Sequence, residues 1–550
     1  MDRSISIFMV FNKLDGSMTM EYQGLKVVKN EILTVIMRKC DEDINLDSMK
    51  TNEMALRCNG LVIQQAGYEN WKIYSDPFCS IPLYFVELKD KILLSSSPDL
   101  LIDYSLSRLD PVGFWETVLF GCGVWMRTPF RELNQLPAAS CLDIGKNITV
   151  RRYWDFCVAE NNHQSCNKRN WVAELDSILS KQFSPYQDQN LVFGLSGGLD
   201  SRITALYLAG AARYRDNIFP FTYASASNSY EYRYAKETAS VLGLADPMFF
   251  QLKPSQYIEA LGYLPKETAG QIGNDHSHIC SCLQRIGSNK SDHPLHISTY
   301  YSDAIFGWDC GEITLKKTEL SSLYMTVENL QWLCEDVRTG ILADIENALG
   351  GVEHANCFSN IDEFRYVAER NPRFHMALAF VQSQFMVTDI PFANYELLRF
   401  ILSAPVELRK RKRILDELLY FKNPRLASLK NCSSREYFYG SNNLMPTRGI
   451  RGSAEYLAFR LFNAINTFLI AASGGSVSFS SPYQTENLQS ILRGSLRKLL
   501  LDSLAEPKIA AMLGPDCQRW LARCPIVERH LSEKFQILNI GSLLQGKDGV

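Results

Sequence analysis

The chain has 550 residues, of which 46% are apolar and 21% charged, and its 57 basic and 60 acidic side chains leave a net charge of −3. A chain of this length outgrows one compact core, so two or more domains are expected, and the composition excludes a fibre or a disordered polymer. The balanced charge offers no field for a polyanion, which argues against nucleic acid or an anionic membrane as partner.

The N-terminus, Met1-Asp2-Arg3-Ser4, opens no long apolar stretch. The best apolar candidate, Leu461 to Ala472, is short and interrupted by Asn463, Asn466 and Thr467, so no membrane span is expected. The 15 cysteines are scattered without repeated spacing, which suggests reduced, mostly buried thiols in a cytoplasmic protein. The first ~155 residues read as short strands, among them Ser4 to Phe11, Gly60 to Gln64, Trp71 to Tyr74, Leu83 to Leu88 and Lys91 to Ser95. Glu160 to Ser165 is polar and reads as a linker. From Trp171 amphipathic helices alternate with short buried strands, an α/β signature. Asn190 to Leu195 and Ile218 to Ala224 are the expected strands, followed by helices over Ile203 to Ala212 and Tyr230 to Leu242. Beyond about Glu319 the pattern is mainly helical, and the small residues of Gly474 to Ser481 predict a loop. The division expected is 1–160 and 165–550.

The first of those strands runs into Ser196-Gly197-Gly198-Leu199-Asp200-Ser201. Adjacent glycines let the backbone approach an anion and turn N–H groups toward it. The following helix adds its positive end, and the two serines add hydroxyls. The loop suits a pyrophosphate, and Asp200 calls for a cation, Mg²⁺ being the natural one. Thr222, on the next strand, is assigned to the nucleotide with it.

This loop resembles the pyrophosphatase loop of the asparagine synthetase superfamily, and the likeness continues elsewhere. Ser75-Asp76-Pro77-Phe78 with Ile81-Pro82-Leu83-Tyr84-Phe85 is similar to the family's Arg-Asp-Pro-Phe-Gly-Ile-Lys-Pro-Leu-Tyr-Tyr signature. Phe130 to Pro137 and Arg151 to Trp154 resemble the end of its first domain. Tyr230 to Ala235 resembles the helix after its second strand, and Asp389-Ile390-Pro391-Phe392 with Leu397 to Pro405 its Arg-Val-Pro-Phe segment. The last ~100 residues carry no recognisable motif. The resemblance implies an N-terminal Ntn-amidotransferase-like β-sandwich of αββα layering. It also implies a C-terminal ATP pyrophosphatase domain, of the adenine nucleotide alpha hydrolase-like kind, with a helical extension.

Two departures redirect the expected activity. Glutamine-hydrolysing members use an N-terminal cysteine, whereas the first cysteine here is Cys40. The first domain is therefore expected to have lost glutaminase chemistry. In Ser298-Thr299-Tyr300-Tyr301-Ser302-Asp303-Ala304-Ile305-Phe306-Gly307 the family's catalytic glutamate is replaced by Tyr300, and both flanking glycines by Thr299 and Tyr301. β-Lactam and carbapenam synthetases also carry a tyrosine there, working with a carboxylate to deprotonate an amine. Asp303 matches the family's second Mg²⁺ ligand, so Asp200 and Asp303 are the expected metal pair. The base behind Tyr300 is sought on the helix before Asp389, where Glu369 and His375 are candidates. Lys430 roughly occupies the place of the lysine that stabilises the acyl-adenylate, with Lys410, Lys412 and Lys422 as alternatives.

His276, His278, Cys280 and Cys282 lie close enough in sequence for a zinc site, but on one strand face they would form a flat row. A loop lining the substrate pocket is preferred. The basic run Arg409 to Arg413 reads as a solvated helix end. The expected protein is thus an ATP- and Mg²⁺-dependent, AMP-forming C–N ligase for an amino-acid-like small molecule or short peptide, with room for a homodimer. Intramolecular β-lactam closure is the leading reading. A lasso-peptide cyclase, an intermolecular amide ligase and an inactive regulatory homologue are the alternatives.

Overall fold

The computed structural model describes residues 6–30, 32–37, 49–67, 69–105, 108–145, 147–156, 168–289, 294–307, 333–350, 358–430, 461, 465, 469, 495–523 and 531–545. The expected linker at Glu160–Ser165 and the loop at Gly474–Ser481 lie outside these. Strand β1 (Ser6–Asn12) alternates buried and half-exposed side chains, the period of a strand with one face in a core. It lies between β2 (Met18–Gln23) and β8 (Lys91–Ser95), and the antiparallel sheet continues through β7 (Tyr84–Glu87) to β9 (Leu133–Gln135). A second antiparallel sheet runs from β3 (Lys26–Lys29) through β4 (Leu33–Met37), β5 (Gly60–Gln65), β6 (Trp71–Ser75) and β10 (Ser140–Ile144) to β11 (Ile148–Arg152).

The two sheets face each other. Ile7, Met9 and Phe11 share a core with Ile63, Ile73 and Leu142. β7 divides its side chains by the same period-2 rule, Phe85 to the inter-sheet core and Tyr84 and Val86 to the far side. There the helix Pro111–Phe120 covers them with Phe114 and Val118. On the opposite outer face the helix Thr51–Arg57 lays Met54 and Ala55 on Val62 and Tyr74. The layers are helix, sheet, sheet, helix.

The chain then builds a wholly parallel sheet of β12 (Leu191–Gly194), β13 (Ile218–Ala224), β14 (Met248–Gln251), β15 (Leu295–Ile297) and β16 (Thr388–Asp389), in the order β14-β13-β12-β15-β16. Helices Leu199–Ala211 and Tyr230–Leu242 make the first two crossovers. The second starts where Ser229 Oγ accepts from the Tyr232 amide and ends at left-handed Gly243. His276 to Cys282, expected as a loop lining the substrate pocket, instead runs from a short 3₁₀ turn, Asn274–His276, into the helix His278–Asn289. Ile279, Leu283 and Ile286 recur at helical spacing and bury together, so the His and Cys side chains are spread around a helix. Among the described residues no cluster of three or more His, Cys, Asp or Glu could hold a metal ion.

The C-terminal helices Ser495–Ala505 and Leu531–Gln545 bury Leu496, Leu500, Phe535 and Leu538 in the core that holds Phe114 and Trp115. Asn539 donates to the Ile272 carbonyl and Gln536 to that of Gly121, so the segment without a motif joins the N-terminal layers to the α/β part. Phe78 and Ala138 likewise share a core with Leu175 and Leu199. Among the described residues no helix is long and apolar enough to cross a membrane, and the described cysteines are free thiols, six of them buried.

Candidate active site

The chain leaves β12 toward β13 on one side of the sheet, while β15 lies on its other side. Crossovers that diverge from a central parallel strand open a crevice at its carboxyl end, where ligands of such sheets sit. Here the crevice is a cleft lined by the ends of β12, β13 and β15, and it includes Ser196, Asp200, Ser201, Thr222, Tyr300 and Asp303. Six residues chosen from sequence for the nucleotide, the metal or the chemistry thus share one cavity.

The two loop serines hold the loop itself. Ser196 Oγ and Ser201 Oγ are 2.7 Å apart, the Gly198 amide donates to Ser196 Oγ at 3.0 Å, and the Ser196 amide donates to Ser201 Oγ at 3.1 Å. The helix Leu199–Ala211 begins from Gly198 with no side chain capping it. Its first-turn amides and dipole are therefore presented to the cleft, the arrangement that binds anions.

Asp200, in that first turn, accepts from Ser302 Oγ and from Lys412 Nζ, the latter at 2.5 Å, and Lys412 also donates to Asp303. Burial pushes the Asp200 carboxyl above its ordinary range, with Lys412 pulling against it and Asp303 adding to the rise. Burial would lower Lys412, but the two carboxylates outweigh it and hold the ammonium above the usual lysine value. Two carboxylates from separate loops already converge on one cation. That donor set fits a divalent ion shared with phosphate oxygens.

The backbone around this cluster is strained. Arg411 and Lys412 are consecutive left-handed residues, φ 55° and 59°, a conformation costing roughly 1–2 kcal/mol per non-glycine residue. The Arg411 amide is held by the Gly307 carbonyl. Tyr301 is left-handed too, φ 73°, at a position where the resembling family has glycine. Its buried ring packs edge-on to Phe78 at 5.0 Å, and its hydroxyl donates to the Val367 carbonyl. Burial of the ring offsets the turn's strain.

Tyr300 is clamped on its ring and at its hydroxyl. His375 stacks on it at 5.0 Å with planes 15° apart, and Gln382 Nε2 donates to its hydroxyl at 2.9 Å. His375 meets the ring face, and its own Nδ1 pairs with Asn371. Burial, then Arg370 and His276, hold its imidazole well below the ordinary histidine range. Glu369, the other expected base, faces elsewhere. Its carboxylate takes Arg152 at 2.7 Å and the Trp125 amide at 3.2 Å. One side chain at the Tyr300 hydroxyl is thus the amide of Gln382, where Glu369 or His375 was sought.

The Lys430 main-chain carbonyl accepts from Arg202 Nη2 at 2.6 Å. Arg202 is fully buried on the helix after the loop and also holds the Leu429 carbonyl at 3.0 Å. Its partners lie more than 200 residues away in sequence, so no local signal marks it. The basic run read as a solvated helix end is corrected in part: Arg409 and Lys412 are buried, Arg409 against Glu363 and Lys412 between the two aspartates. Ser302 was visible only as a neighbour of Asp303, and Gln382 carried no charge to attract notice.

No family model matches the chain, and no curated protein sequence matches it. Among solved structures, an NH3-dependent NAD synthetase from Campylobacter jejuni subsp. jejuni NCTC 11168, in complex with the nitrate ion, is similar over 32% of this chain and 77% of its own. The identity is 19% and the TM-score 0.18. A superposition that weak does not establish a shared fold.

Proposed function

We propose that this chain is an ATP-dependent, AMP-forming C–N ligase that adenylates a substrate carboxylate and passes the acyl group to an amine. The observation that carries the reading is the convergence of Asp200 and Asp303 on one cation beside an uncapped helix N-terminus, at the carboxyl end of a parallel sheet. Loop amides and the helix end would take the phosphates, and Thr222 lies on the cleft wall toward β13. Mg²⁺, when bound, would draw charge from the departing pyrophosphate. Asp200 and Asp303 are the residues to hold it, with Ser302 orienting Asp200.

Tyr300 supports an amine as acceptor, since it stands in the resembling family's glutamate position on the cleft wall. Intramolecular closure to a β-lactam is the finer reading of that feature. Gln382 at the hydroxyl weighs against a tyrosine–carboxylate dyad of the β-lactam synthetase kind, so an amide ligase with a separate small-molecule or peptide acceptor stands beside it. The test is pyrophosphate release from ATP and Mg²⁺ across a panel of amino acids, β-amino acids and short peptides. Release with none of them, by folded protein that binds ATP, would overturn the reading in favour of a regulatory homologue.

A further inference from the structure

We propose that Lys412 makes metal binding at Asp200 and Asp303 conditional on the nucleotide, holding the pair against a lone divalent ion and yielding when phosphates arrive. The inference rests on the reading above for its assignment of those two carboxylates to Mg²⁺, and concerns the order in which the site is filled.

Lys412 Nζ donates to Asp200 Oδ2 at 2.5 Å and to Asp303 Oδ1, and Asp200 Oδ1 accepts from Ser302 Oγ. A divalent ion that bridges the two carboxylates has to take oxygens that the ammonium holds. The Lys412 side chain is 5% exposed, so little water intervenes to screen one cation from another. Ion and ammonium therefore compete, and the ion wins only by breaking two charge-assisted hydrogen bonds from a buried donor.

A nucleotide changes both sides of that exchange. Its phosphates offer the ammonium new acceptors, and they offer the ion oxygens beyond the one or two carboxylates with which Mg²⁺ is usually held. The anion also has its place already, at the loop amides and the uncapped start of the helix Leu199–Ala211. Lysine suits the exchange, being a compact charge on a flexible stem. The turn beneath it stays as it is, anchored where Arg409 meets Glu363 and the Arg411 amide meets the Gly307 carbonyl. Only the side chain has to swing. Metal and nucleotide are thereby coupled through one residue, and each raises the other's affinity by the same factor.

Mn²⁺ is the probe, followed by electron paramagnetic resonance on the full chain, and no substrate is needed. Without nucleotide, Lys412→Met should bind Mn²⁺ roughly 10- to 100-fold more tightly than the parent, the effect of removing one neighbouring like charge from a partly exposed pair. Lys412→Gln, neutral but still a donor, should gain in the same direction, and it serves if the methionine variant does not fold. Adding Asp200→Asn to either should abolish the gain. α,β-Methylene-ATP should then tighten Mn²⁺ less in the variants than in the parent, by about tenfold; its own chelation of the ion is common to both and cancels. Equal Mn²⁺ affinity in parent and folded variant, a gain that survives Asp200→Asn, or an equal effect of the nucleotide overturns the proposal. The Mn²⁺ gain in a protein that releases no pyrophosphate would uphold it while overturning the ligase reading, so the two can fail separately.

Discussion

Lys412 donates to Asp200 at 2.5 Å across 212 positions of sequence, from a backbone held left-handed at two successive residues. The same ammonium reaches Asp303, so one side chain fastens the nucleotide loop to the loop that carries Tyr300. It also keeps two carboxylates together that would otherwise repel.

Removing that cation should therefore destabilise the protein and sharpen its response to metal. Breaking a fully buried pair costs about 3–5 kcal/mol, but the Asp303 side chain is 46% exposed, which weakens its share. Lys412→Met is expected to lose about 1–3 kcal/mol in urea unfolding. Mg²⁺ should raise its melting temperature more than it raises that of the parent. A variant with an unchanged midpoint and no added Mg²⁺ response would contradict the bridging role.

The two half-reactions should separate by mutation. Asp200→Ala is expected to abolish pyrophosphate release. Tyr300→Phe should leave release intact while slowing amide formation on the order of 10²–10⁴-fold, the contribution of one positioned proton-transfer group. Parallel loss of both steps in Tyr300→Phe would refute the role given to that hydroxyl.

Acid should weaken the fold through histidines that folding desolvates. Burial, and then Arg370, lowers His276 from 6.5 to about 3, so between those values the unfolded chain binds the proton and the folded one does not. Stability is then fully present above pH 6.5 and falls as pH drops toward 3, by up to ~1.4 kcal/mol per unit for this group. Denaturant unfolding at pH 7 and pH 5 measures it, and His276→Asn should narrow the gap between the two. A gap that stays the same would assign the pH dependence to other groups.

Arg202 should matter for the backbone at Leu429 and Lys430. Its guanidinium holds the carbonyls of Leu429 and Lys430 from a fully buried position, and hydrogen bonds to charged groups contribute about 1.5–3 kcal/mol. Arg202→Met keeps the bulk and drops those bonds. Faster proteolysis around Lys430 is the expected outcome, with the rest of the chain cleaved at the parent's rate.

Much of the frame was readable because it depends on local periodicity. Ile218 to Ala224 and Tyr230 to Leu242 form the expected strand and helix with the same bounds, and β5, β6 and β8 fall where apolar runs met turn residues. His276 to Cys282 carries no helical signal within itself, because its His and Cys residues recur every second position, and the helix is set by Ile279, Leu283 and Ile286.

The side chain behind Tyr300 was out of reach for a different reason. Arg365–Arg370 is wound as a π-helix, followed by the short turn Asn371–Arg373 and the helix His375–Gln382. One residue more or less per turn swings every later side chain by about 100°. Counting along an ideal helix therefore cannot tell that Glu369 turns to Arg152 and Gln382 to Tyr300.

By itself the sequence determined the strand-to-helix loop Ser196 to Ser201 with Asp200 in its first turn, because a glycine pair between a buried strand and an amphipathic helix is a local pattern. It also showed Tyr300 and Asp303 spaced three residues apart. Only the tertiary structure decided that Lys412 joins the two aspartates, that Arg202 holds the Lys430 carbonyl, and that an amide meets the Tyr300 hydroxyl. Those partners lie 82 to 228 positions apart, and at such separations contact is set by how helices and loops pack around the sheet, which no spacing along the chain records.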